Sequence, residues 1–112
     1  MIDVSTSATG ARITVSEDLD LASRESADAV ARRLALLERP AITVDLCRMD
    51  FMDSTGAAWL ISLAGQSIQR DGTISLLGAS ARDLFVLQVC GALDLFDVNH
   101  RHQCPDATHA TA

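Results

Sequence analysis

Two apolar runs, AITVDL (41–46) and TISLLG (73–78), are separated by a segment long enough for a helix of roughly four turns. Each run is nearly continuous in its apolar residues, the pattern of a strand buried on both faces. Parallel strands need a crossover of about a dozen residues or more, and GAAWLISLAGQSIQRDG (56–72) supplies one. The same alternation continues on both sides. ARITVS (11–16) has Ile13 and Val15 on one side of a strand, and MIDVSTS (1–7) reads as a short antiparallel neighbour joined through Thr9-Gly10.

Between these strands, Ala27, Val30, Ala31, Leu34 and Leu37 recur at helical steps. Ser23 or Ser26 is placed to cap that helix, and Pro40 to end it. SARDLFVLQVCG (80–91) reads as a third helix with Ser80 as N-cap and Gly91 just past its end. LDLFDV (93–98) forms a last turn or short strand. The expected fold is α/β: a mixed, mostly parallel sheet of four to five strands with helices packed on it. One domain is expected over 1–99, with a disordered tail over 100–112.

Bulk properties narrow the function. The net charge is −6 with a pI near 4.7 and no lysine; nothing resembles a basic stripe, so nucleic acid is not expected as a ligand. The three cysteines, Cys47, Cys90 and Cys104, form no CxxC pair and argue against a disulfide framework or a structural zinc site. No basic region precedes an apolar run at the N-terminus, and no apolar stretch reaches the ~18 residues of a membrane span. The expectation is a cytoplasmic protein with reduced thiols and no cofactor.

The segment MDFMDSTGAAWLISL (49–63) carries the chemistry. Residues 47–53 read as a loop at the carboxyl end of a strand, where open α/β sheets gather functional groups. The next helix begins near Ser54, capped by Asp53 or by Ser54 itself. Gly56 just inside that helix costs about 1 kcal/mol relative to alanine, which makes sense where something must approach the backbone closely. A helical count puts Leu60, Ile61, Ala64 and Ile68 on the buried side and Thr55, Trp59, Ser62 and Gln66 opposite. Trp59, the lone tryptophan, suits a core or rim position, or an interface anchor if exposed.

Ser54 has no base to activate it. The histidines, His100, His102 and His109, all lie in the tail, and no G-x-S-x-G elbow or P-loop is present. Asp50 and Asp53 lack a third ligand for a metal, and HRHQC (100–104) resembles a metal-binding tract only faintly. A displayed hydroxyl without catalytic machinery can instead be a substrate. Phosphorylation would add nearly two negative charges, tolerated at a helix N-terminus but repulsive on a docking surface beside Asp53.

Asp45-Leu46, Phe51, Asp53-Ser54-Thr55-Gly56, Gly72 to Gly78 and Gly91 to Phe96 together resemble the STAS domain of bacterial anti-sigma factor antagonists. Leu19-Asp20 matches that family's L-D, and the likeness spans about 10 to 98. The resemblance implies a non-enzymatic antagonist. Its unphosphorylated form binds an anti-sigma factor that is also a serine kinase, and so frees the sigma factor. Phosphorylation at Ser54, with Thr55 the lesser acceptor, ends binding, and a serine phosphatase restores it. The resemblance places Asp20 beside the phosphorylated serine and gives Asp53 and Gly56 the shaping of the loop and helix start. The docking face then comprises Asp20, Asp53, Ser54, Thr55, Gly56, Ala58, Trp59 and Ser62. Glu17-Asp18 stand where the family has Gly-Glu, which alters the turn near Asp20. Ala57 is smaller and Trp59 larger than usual, which retunes partner choice. The alternative is a STAS subunit of another assembly, such as a stress-sensing or lipid-transport complex; an intact Ser54 favours the antagonist.

Overall fold

The computed structural model describes residues 2–7, 10–20, 24–38 and 40–104. Among the described residues, five strands form one sheet in the order β1-β2-β3-β4-β5. They are β1 (Ile2–Thr6), β2 (Gly10–Leu19), β3 (Ala41–Met52), β4 (Thr73–Leu77) and β5 (Asp97–Asn99). β1 pairs antiparallel with β2, and every other neighbouring pair is parallel. The helices among the described residues are α1 (Arg24–Leu34), α2 (Ser54–Gln69) and α3 (Ala81–Val89), and a 3-10 turn at Leu93–Leu95 follows α3. The expected mixed α/β sheet is therefore observed.

Ile13, Val15, Ile42, Val44, Leu46, Ile74 and Leu76 are buried on one face of the sheet, against Leu60, Leu63 and Ala64 of α2 and Leu34 of α1. The alternate residues Thr43, Asp45, Ser75 and Leu77 are only half-buried at most, apart from the ion pair that Asp45 makes with Arg12 at 2.8 Å. The middle strands are thus not buried on both faces, as their apolar runs suggested. Period-two burial wins because the helices cover a single side, so Thr43, Asp45 and Ser75 can face outward.

Three further expectations change. β3 does not give way to a loop at Cys47 but runs on to Met52, because β2 also extends and pairs with it as far as Leu19↔Met52 through two register shifts. Such bulges add twist and re-aim the strand ends. The segment at Glu17-Asp18 is thus strand rather than turn. Second, α1 ends at Leu34, followed by hydrogen-bonded turns to Leu37, well before Pro40. Ser26 lies inside α1 rather than capping it, and Ser23 lies outside the described residues.

Third, Cys47 and Cys104 are joined by a disulfide, with their Cα atoms 5.4 Å apart, while Cys90 is a free, exposed thiol. Spacing along the chain, 57 residues, gave no hint of this pair. It arises because the segment after β5 crosses the carboxyl end of the sheet and meets β3. Residues 100–104 of the expected tail are therefore held against the domain; residues 105–112 lie outside the described residues. α3 matches expectation: Ser80 and Asp83 form a reciprocal capping box, and Gly91, with φ +73°, follows Cys90 at the C-cap.

Candidate functional site

Asp53 is the N-cap of α2, and its Oδ1 accepts a hydrogen bond from the Gly56 backbone N–H at 2.9 Å. That satisfies one of the four N–H groups a helix start leaves unpaired. Ser54 is then the first helical residue and Thr55 the second. Ser54 is exposed, Thr55 half-buried and Gly56 buried.

Gly56 has a local explanation. A Cβ at this position would overlap the Leu19 carbonyl oxygen and stand 2.9 Å from Leu19 Cγ. The close approach expected from sequence is thus made by the protein's own β2. The Leu19 carbonyl also accepts from the Asp53 N–H at 3.3 Å. Two contacts therefore fasten Leu19, and with it Asp20, to the start of α2.

Beside Ser54 a cleft of about 250 Å³ opens between α1 and α2. Asp20, Thr55, Gly56, Ala58, Trp59 and Ser62 line it, and all six were singled out from sequence. Ser54 and Asp53 do not line it; Ser54 is exposed at the position immediately before Thr55. Asp28 of α1, which sequence reasoning passed over, adds a second carboxylate.

Trp59 takes the core position the sequence allowed, not the outward face that the helical count gave it. It is buried, and its indole N–H donates to the Ala27 carbonyl at 2.9 Å. The helical count treated the sheet as the sole thing to pack on, whereas α1 covers the adjacent flank of α2. Gly56, Trp59, Leu63 and Ser67 are therefore buried, while Ile68 is 47% exposed. Trp59 ties α1 to α2 and also lines the cleft. Ala58 and Ser62, one turn apart, are the exposed positions of this face. At the other flank, Phe51 lies beneath the Arg82 guanidinium, 4.8 Å from the ring centroid, which links the end of β3 to the start of α3.

The fold and the displayed helix start define a small α/β module with its presented side chains at the carboxyl end of the sheet. The family model described as "Mlab, STAS domain" matches residues 2–97, and the chain belongs to the STAS domain family. Solved structures agree in fold. An anti-sigma-factor antagonist (STAS) domain protein from Planctomyces limnophilus superposes with a TM-score of 0.76 at 18% identity, covering 99% of this chain and 97% of that one. The anti-sigma factor antagonist SpoIIAA in its unphosphorylated form gives 0.70 at 16%, covering 90% of each chain. A sulfate transporter family protein from Wolinella succinogenes gives 0.65 at 16%, covering 86% of this chain and 82% of that one. No curated protein sequence matches the chain.

Proposed function

We infer that the chain is an anti-sigma factor antagonist whose binding to an anti-sigma factor serine kinase is switched off by phosphorylation of Ser54. The observation that carries this reading is an exposed hydroxyl at the first position of α2, immediately before a cleft walled by Asp20 and Asp28. A kinase can reach such a hydroxyl without unfolding the domain. The product phosphate would sit where helix N–H groups favour an anion, so the fold tolerates it. A partner surface approaching Asp20, Asp28 and Asp53 would meet nearly two further negative charges and have to desolvate them. Thr55 is half-buried at the cleft wall, which makes it the poorer acceptor. Ala58 and Ser62 extend the same surface and would contact the partner directly.

The reading is supported further by the fold shared with two anti-sigma factor antagonist structures. A second reading, a STAS subunit of another assembly, draws on the family model's Mlab description and on the sulfate transporter family structure. Intact-mass measurement after incubation with ATP and a candidate anti-sigma factor kinase separates them. The antagonist reading expects a gain of one phosphate, absent in Ser54→Ala. A phosphate that persists in Ser54→Ala would move the switch elsewhere. A chain that no such kinase modifies or binds would favour the second reading.

A further inference from the structure

Away from the Ser54 cleft, the segment after β5 brings His102 and Cys104 onto Cys47 of β3. The sulfur, nitrogen and sulfur atoms of Cys47, His102 and Cys104 all lie within 4.8 Å of one another. His102 Nε2 is 3.4 Å from Cys47 Sγ. We propose that in the reduced chain Cys47, His102 and Cys104 bind a soft divalent cation of the zinc class, and that the Cys47–Cys104 disulfide is the metal-free, oxidised form of the same site.

The donor set fits such an ion. Two thiolates and an imidazole are the ligands zinc prefers, and a three-residue set leaves the fourth tetrahedral position to water. Zinc–sulfur bonds of about 2.3 Å put neighbouring ligand atoms about 3.8 Å apart in a tetrahedron. Cys47 Sγ and His102 Nε2, 3.4 Å apart, already stand near that spacing.

The surroundings hold the ligands in place. Asn99 Oδ1 accepts from the backbone N–H groups of Arg101 at 3.0 Å and His102 at 3.1 Å, which sets the turn carrying His102. Asp45 Oδ1 accepts from the Cys47 N–H at 2.9 Å. Gly78, with φ +71°, gives the room: a Cβ there would overlap Cys47 Sγ and stand 2.6 Å from Cys104 Sγ. Cys47 and His102 are half-buried and Cys104 is exposed, so the site opens to solvent for metal entry.

The two forms exclude each other, because a sulfur in a disulfide is no longer a thiolate ligand. Metal binding to the dithiol releases two protons. A small-molecule disulfide converts the metal form by thiol–disulfide exchange. One thiolate attacks the small disulfide and expels a first thiolate; the second protein thiolate attacks the mixed disulfide and expels another. The protein sulfurs are oxidised, the small disulfide is reduced to two thiols that take up two protons, and the cation leaves.

The test uses the full chain, reduced and then freed of reductant under argon, titrated with Co²⁺ and with Zn²⁺. The proposal expects one ion per chain, with the near-ultraviolet thiolate-to-cobalt band and visible ligand-field bands of a tetrahedral site. Cys104→Ser and Cys47→Ser should abolish the thiolate band or halve it, and His102→Ala should weaken binding by at least about tenfold. Oxidation with a small disulfide should release the zinc stoichiometrically while two thiols disappear. Cys104 is exposed, so Cys104→Ser is the variant least able to disturb the fold. The inference is overturned if the folded reduced chain binds neither ion at micromolar concentration, if Cys104→Ser retains the full thiolate band, or if His102→Ala binds as tightly as the native chain.

Discussion

Two glycines on α2 should respond to alanine with opposite signs. At Gly56 a Cβ would overlap the Leu19 carbonyl oxygen, and would stand 2.9 Å from Leu19 Cγ and 3.0 Å from Leu19 C. Carbon atoms pack at about 3.5–4.0 Å, so these contacts fall short by roughly half an ångström or more. Much of the obstacle is backbone, which cannot swing aside as a side chain can. Overpacking of this kind costs about 1–3 kcal/mol, and its upper end applies here. The better helix propensity of alanine returns about 1 kcal/mol, leaving a net loss of about 2 kcal/mol. For a domain of this size that lowers Tm by about 10 °C. At Gly65 nothing lies within 4 Å of a Cβ. Gly65→Ala should therefore stabilise by about 0.5–1 kcal/mol, from helix propensity and a less flexible unfolded chain. Thermal melts by far-ultraviolet circular dichroism, with urea titrations read by the buried Trp59, measure both. If Gly56→Ala is as stable as the native chain, or Gly65→Ala loses as much as Gly56→Ala, the packing of α2 on Leu19 is wrong.

Asp53→Ala removes the N-cap of α2 and should cost about 1 kcal/mol in guanidinium denaturation, whereas Asp53→Asn, which keeps a capping oxygen, should cost a few tenths at most. Trp59→Phe leaves the Ala27 carbonyl without its indole donor and should lose about 1–3 kcal/mol in the same assay, with the α1–α2 cleft loosened. Ser54→Asp should melt within about 1 °C of the native chain, because a carboxylate at the first helical position suits the dipole, while kinase binding falls.

Much of this fold can be read from residue order. The strand and helix periods of 11–16, 41–46, 56–72, 73–78 and 80–91 each correspond to an element, because each pattern reports burial against a neighbour. What failed did so where the neighbour was not visible. Residues 47–52, with Arg48 and Asp50, look too polar for a strand, yet the lengthened β2 pairs with them. Trp59 sits on the flank that a sheet-only helical count leaves outside, and α1 covers that flank. Asp28 enters the cleft for the same reason. The Cys47–Cys104 pair depends on where the chain goes after β5, which no local pattern encodes. The cleft residues fared better, since Asp20 and the D-S-T-G turn are brought together by the contacts of Leu19 with Asp53 and Gly56.

The most direct measurement compares the affinity of an anti-sigma factor kinase for the unmodified chain, the chain carrying phosphate on Ser54, and Ser54→Ala, by isothermal titration calorimetry at one salt concentration. The unmodified chain and Ser54→Ala should bind alike, and the phosphorylated chain at least about tenfold more weakly, a change of about 1.4 kcal/mol. Equal affinity for the phosphorylated and unmodified chains would contradict the account.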